Sequence, residues 1–194
     1  MTKEDLLKLI AETGYNVGFG AKKHFATYDI VAKVPGIIGF ASTGVGVFAL
    51  FVDSLSTKHL SAAFIVLGVM GLCINFYNHK KELYADAGSK LTQLFNQLKA
   101  LYMNAKASEA ADLSSLENEL KSIEMSYYSE CISEQILFSD WFAHYKFFWQ
   151  HQIDWINEQK KFRFFRDKIP LSLIVVVFLI VGASLASVCY YNYS

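Results

Sequence analysis

Residues 34–52 read VPGIIGFASTGVGVFALFV, a run of 19 positions without a charge. At about 1.5 Å per residue, a helix over this run reaches roughly 28 Å, close to the hydrocarbon thickness of a bilayer. A second apolar run, LSAAFIVLGVMGLCINFY at 60–77, has Asn75 as its one strongly polar side chain. A third, IPLSLIVVVFLIVGASLASVCYY at 169–191, opens with Pro170 in its first turn, where a missing N–H costs little. Tyr190, Tyr191 and Tyr193 would lie at its far interface. Three uncharged runs of this length read as membrane spans rather than as buried core helices. The expected fold class is an all-α membrane protein with three transmembrane helices.

Charge sets the expected orientation. Of the 18 Lys and Arg, only Lys58 lies in the loop between the first two runs, and none follows the third. The rest lie before residue 34 or between 78 and 169, with Lys160, Lys161, Arg163, Arg166 and Lys168 crowded against the third run. The positive-inside bias then puts the N-terminus and the middle segment in the cytosol and the C-terminus outside. The first 33 residues carry no short apolar run before a small-residue cleavage site, so no cleavable signal peptide is expected. The expected division is 1–33, cytosolic N-terminal helices; 34–78, a transmembrane hairpin with spans 34–52 and 60–77; 79–168, a cytosolic helical domain; and 169–191, the third span. Formal net charge is zero, which gives no electrostatic reason to expect nucleic acid as a partner.

From Ser89 to Ile169 there is neither glycine nor proline, and strand-type alternation is absent, so the segment reads as helices joined by short turns. Tyr84, Ala87, Leu91, Leu94, Leu98, Leu101 and Ala105 recur at spacings of three and four, a coiled-coil seam that would close an antiparallel hairpin or join copies. This helix is expected to continue the second span directly. After a turn near 108–113, Ser114 with Glu117 resembles a capping box, and Leu116, Leu120, Ile123 and Tyr127 restart the seam. A straight return helix would overshoot the membrane, so a break is expected, with Ser139-Asp140 as the next N-cap.

The segment 141–165 that follows is rich in Trp and Phe interleaved with Lys and Arg. Two readings stand: a helix lying in the membrane interface, or a core layer against the N-terminal helix. At the N-terminus, Thr2 and Asp5 begin a short amphipathic helix that Gly14, Gly18 and Gly20 would interrupt before a second helix leads into the first span.

Chemistry-bearing motifs are lacking. There is no Walker loop, HExxH or GxSxG, and Gly18 and Gly20 follow no strand. His144, His151 and Asp154 would suit either an exposed polar face or, less simply, a metal. Cys73, Cys131 and Cys189 have no zinc or disulfide spacing and read as small apolar positions. No enzyme, cofactor or metal is expected. Within the spans, Ser42, Gly46 and Asp53 share one face of the first helix, and Gly68 and Asn75 share a face of the second. Such faces serve close helix packing or line a water path in an oligomer, with Asn75 reaching Ser42 or Thr43 across the hairpin. His24 and the His79-Lys80-Lys81 run flank the spans as interfacial anchors.

AKKHFATYDIVAKVPGIIGF at 21–40, a tight two-span hairpin, and INFYNHKKELYADAGSKLTQLFNQL at 74–98 together resemble the SLATT membrane domains. His24 and His79 match the family's juxtamembrane histidines, and the third span departs from its minimal two-span pattern. The resemblance implies a bacterial inner-membrane effector of anti-phage defence. Such an effector acts by membrane disruption or pore formation as a homo-oligomer in membrane lipid. Its partner would be a cytosolic sensor, a nucleotide second-messenger synthase or a reverse transcriptase encoded nearby. The alternative is a non-conducting anchor or adaptor that recruits a cytosolic partner through its helical arm.

Overall fold

Thr2 starts the first helix with a capping box: its Oγ1 accepts from the Asp5 N–H at 3.2 Å, and the Asp5 carboxylate accepts from the Thr2 N–H at 3.4 Å. The computed structural model describes residues 2–109 and 112–193, and among these every regular element is helical. They are α1 (Lys3–Phe48), α2 (Lys58–Asn75), α3 (Lys81–Ala107), α4 (Ser114–Glu130), α5 (Ser139–Gln150), α6 (Asp154–Lys160), α7 (Phe164–Asp167) and α8 (Leu171–Tyr193).

The expected interruption of the N-terminal region is not found. α1 runs unbroken for 46 residues, roughly 69 Å, through Gly14, Gly18 and Gly20 and into the apolar run. These glycines weaken the helix in isolation, but tertiary packing compensates. A Cβ at Gly18 would lie 2.7 Å from Phe95 Cδ2 and Cε2 and 2.9 Å from Phe147 Cε2, and one at Gly14 would overlap the Trp155 ring. The glycines are where α1 lets large rings approach its backbone.

α1 is consequently the spine of the protein. α3 packs along it lengthwise, α5 and α6 cover another face, and α2 folds back along its apolar end. The predicted seam is buried: Tyr84, Ala87, Leu91, Leu98, Leu101 and Ala105 are all core residues, with Leu94 at the margin. Its main partner is α1 rather than the return helix, and α4 contributes Leu120 and Ile123 to the same core. Phe95 and Tyr102, outside the heptad, are buried as well, because α3 is enclosed on more than one side.

Two local expectations need correction. Ser114 is the first residue of α4 rather than its cap. The N-cap is Leu113, which offers no side-chain bond, and Asp112 before it accepts from the Ser114 N–H at 2.9 Å and Oγ at 3.0 Å. The break before Ser139 is present, but Ser139 makes no capping bond; Phe138, at φ 68°, turns the chain into α5. Residues 110 and 111, in the α3–α4 turn, lie outside the described residues.

α2 passes into α3 through a single tightened 3₁₀ turn at Asn78–Lys80, with right-handed backbone angles at Phe76, Tyr77, Lys80 and Lys81. The aromatic segment is three short helices, not one. Phe147, Phe148 and Trp155 face the core, while Trp149 and Phe165 point to the surroundings. Among the described residues α8 makes no extended packing contact with another element; Trp141 Nε1 donates to Ser172 Oγ at 2.8 Å at its first turn. The expected interfacial position of Tyr190, Tyr191 and Tyr193 lies outside the residues whose side chains are described.

Candidate functional site: the juxtamembrane latch

Between α4 and α5 the chain leaves helical geometry for residues 131–138. A non-helical segment must find partners for its backbone polar groups outside itself. Here they come from α1 and α3, just where those helices meet the apolar runs. His24 Nε2 accepts from the Ile132 N–H at 3.0 Å, and Nδ1–H donates to the Gly20 carbonyl one turn back, at 2.7 Å. The two bonds together fix the tautomer and require a neutral ring. His24 is 3 % exposed, and burial pushes its imidazole below the ordinary value; the Gly20 carbonyl opposes this and Lys23 adds to it.

The neighbouring contacts extend the clasp. Thr27 Oγ1 donates to Gln135 Oε1 at 2.6 Å, and Gln135 Nε2 returns a bond to the Ile132 carbonyl at 2.7 Å. The hydroxyl of Tyr84, fully buried on α3, donates to the Glu134 carbonyl at 2.8 Å, and Lys80 pairs with the Glu134 carboxylate at 3.0 Å. One turn along α1, Asp29 binds Lys146 of α5 and Lys33 of its own helix. Lys23 reaches Asp140 at 2.8 Å. Segment 131–138 is thus tied to both helices that lead toward the membrane runs.

Immediately beyond the clasp the surface turns apolar. Ile136, Leu137 and Phe138 border a groove of about 410 Å³ whose other wall is Ile30 and Val34 of α1 with Val69, Cys73 and Tyr77 of α2 and the turn after it. Leu137 is 74 % exposed, so this loop presents apolar surface at the level where the apolar helices begin.

Two helices, α1 and the α2–α3 rod, are long and apolar enough to cross a membrane by length and composition, and α8 carries a shorter apolar helix at 171–186. The family model of the SMODS and SLOG-associating 2TM effector domain 6 matches residues 1–177. The chain belongs to the SLATT family. No curated protein and no solved structure matches it. Family and apolar helices agree in marking this SLATT chain as a membrane protein of the effector class.

The residues singled out in this SLATT sequence fall into separate places. Ser42 and Gly46 meet Ser61 and Phe64 in a small cleft of about 180 Å³ at the closed end of the α1–α2 hairpin. Gly68 does not join them, and its Cα faces open space. Asp53 lies exposed in a 3₁₀ turn at the hairpin loop. Asn75 ends α2 at the other end of the hairpin and is exposed. Counted from the hairpin loop, Asn75 is roughly 26 Å along its helix and Ser42 roughly 9 Å along its own. Their expected hydrogen bond is therefore out of reach, and Thr43 Oγ1 donates instead to the Gly39 carbonyl at 2.9 Å.

His79, unlike His24, is exposed, with its ring bound to the Phe76 carbonyl at 2.8 Å. His144 and His151 have different surroundings: His144 packs edge-on against Phe19, His151 against Phe95. Among the described residues no group of three or more His, Cys, Asp or Glu is placed to hold a metal. Leu91, Leu98 and Leu101 are consumed inside the chain, so that face is not free for a second copy.

Sequence reasoning had marked His24 as an anchor but missed its partner, because a bond across 108 positions leaves no periodic trace.

Proposed function

We propose that the chain is a multimeric, multi-pass effector of a bacterial inner membrane in anti-phage defence. It is held silent by its cytosolic bundle and permeabilises the membrane when a cytosolic signal rearranges that bundle. The observation that carries this reading is the continuity of α1. One helix forms the centre of the cytosolic core and runs on, through Pro35, into the first apolar segment. Displacement of α3, α5 or α6 at its cytosolic half acts directly on the half in the membrane. The clasp at His24 is placed where such a movement must pass.

In this reading the N-terminus is cytosolic, α8 is a third span and the C-terminus lies outside. The exposed rings of Trp149, Phe164 and Phe165, with Arg163 and Arg166 beside them, rest in the inner membrane interface. Because three spans are too few to enclose a channel, a pore needs several copies. The partner in this reading is a cytosolic sensor, second-messenger synthase or reverse transcriptase encoded nearby; the family's description as SMODS- and SLOG-associating supports an associated partner of some kind.

The test is induced expression together with the neighbouring genes, with and without phage, read by a potential-sensitive dye. Depolarisation that requires this chain supports the reading. An intact potential during an effective defence response overturns it and leaves the chain as a membrane anchor for its partner.

A further inference from the structure

The groove beside the latch is walled by ten residues, of which Tyr77 alone carries a side-chain oxygen or nitrogen. Water gains little in such a hollow, because it needs several polar partners to be held. One turn further along each helix the surface stays apolar and open: Ile37 and Phe40 on α1, and Ile65 and Val66 on α2, are all exposed. The groove is therefore continuous with the surfaces of the two helices that are long and apolar enough to cross a membrane. At its other end stand lysines. Lys33 precedes Val34 on α1, and Lys80 and Lys81 follow Tyr77 by three and four positions. Apolar toward the spans and cationic toward the bundle is the order that matches a phospholipid from tail to headgroup.

The loop wall of the groove is fixed in place. Ile136, Leu137 and Phe138 continue the latch, whose Ile132 N–H, Glu134 carbonyl and Gln135 amide are bound by His24, Tyr84 and Thr27. Phe138 has φ 68°, a left-handed conformation that a bulky side chain rarely adopts. Its ring lies 4.8 Å from that of Trp141, which in turn donates to Ser172 at the start of α8. Backbone strain persists only where the surrounding structure imposes it, and here it sets an aromatic ring against the groove.

We propose that this groove holds one acyl chain of a membrane phospholipid from the leaflet nearest the bundle, with its phosphate at the level of Lys80 and Lys81. A helix from a second copy is the poorer occupant. One turn of a helix ~10 Å across takes up roughly 420 Å³, so a groove of about 410 Å³ admits a single turn. Membrane helices also pair by close backbone approach over small residues, whereas this groove is walled by Ile, Val, Met and Phe side chains. An acyl chain is thin and flexible, and the volume lies within the usual range of ligand sites, about 300–1,000 Å³. The bound tail fills the space between the latch and the two membrane helices, and so braces Ile136, Leu137 and Phe138 against α1 and α2. The proposal requires that the chain sit in a membrane and is independent of whether it conducts.

The test uses the full chain in a mild detergent. After delipidation it is titrated with palmitoyl-oleoyl phosphatidylethanolamine, and separately with sodium oleate, and native mass spectrometry counts the lipid retained per chain. The parent is compared with Val69→Trp and Cys73→Trp, which fill the groove from α2, and with Leu137→Asp, which places a charge on its loop wall. The control is Leu72→Trp, an exposed α2 position outside the groove. The expected result is one phospholipid per chain in the parent and in Leu72→Trp, with affinity about tenfold or more weaker in the other three. Val69, Cys73 and Leu137 are all exposed, so these variants should fold, which circular dichroism checks; should a tryptophan variant not fold, Leu137→Asp decides. Absence of a retained phospholipid, equal retention in parent and all variants, or retention of oleate alone overturns the proposal. So does a change of oligomer size in Cys73→Trp with lipid retention unaltered, which would assign the groove to a second copy.

Discussion

Gly18→Ala is the most direct probe of the spine. In an isolated helix the change stabilises by about 1 kcal/mol, because alanine loses less backbone freedom than glycine. Here the new methyl carbon would lie 2.7 Å from two atoms of Phe95 and 2.9 Å from one of Phe147. Ordinary carbon–carbon contact is ~3.5–4.0 Å, so the rings must retreat by roughly 0.6–1.3 Å. Neither is free to do so: Phe95 is 2 % exposed and Phe147 0 %, and they belong to different helices, α3 and α5. Overpacking of this kind costs about 1–3 kcal/mol, and with two rings the upper end applies, leaving a net loss of about 2 kcal/mol. For a chain of this size that lowers Tm by about 4–8 °C. Thermal unfolding in detergent measures it, with Gly39→Ala as the control, since a Cβ there meets nothing within 4 Å. Adding Phe95→Leu should restore part of the loss, a favourable coupling of about 1 kcal/mol in a double-mutant cycle. A Gly18→Ala protein as stable as the parent, or more so, would refute the close approach of α3 and α5 to α1.

Leu98→Asp places a carboxylate in the sealed α1–α3 seam and should cost several kcal/mol while leaving membrane insertion intact; Leu94→Asp, at the margin, should cost clearly less, and equal losses of Tm would contradict this packing. His24 and His151 both have folded-state values below the 6.5 of the free imidazole, so the unfolded chain takes up protons first as pH falls. Their contribution is complete above pH 6.5 and is lost as pH drops, for His151 down to about 4; Tm should therefore fall between these limits, and less so in His151→Gln. Tags at the two termini should label from opposite sides in intact spheroplasts, the C-terminal one from outside; protection of that tag would remove α8 as a span. Asn75→Leu and Asp53→Asn should leave insertion unchanged but alter conductance or toxicity, Asp53→Asn through loss of charge at the outer mouth; variants indistinguishable from the parent would make these residues packing positions only.

Much of the molecule was readable along the chain. Uncharged runs of bilayer length are a local property of composition, so the apolar runs were visible along the chain, and they fall in the second half of α1, in α2 and in α8. The heptad from Tyr84 to Ala105 marked a buried stripe because burial on one helix face repeats every three or four residues. The lack of glycine and proline between Gly88 and Pro170 left helices joined by turns as the one economical reading.

What that stripe packs against is not a periodic property, and the seam found α1 where α4 was expected. Glycine gives the same local signal whether it ends a helix or admits a ring. Trp155 and Phe95, both far from α1 in the chain, decided that Gly14 and Gly18 do the second. The aromatic segment had a composition suited to core and interface alike, and folding divided it, Phe147 and Trp155 inward, Trp149 and Phe165 outward. The latch depends on the same non-local geometry. His24 meets Ile132, and Tyr84 meets Glu134, only after the helices have closed around α1. Such meetings come from long-range packing, and no local rule on spacing or propensity contains them.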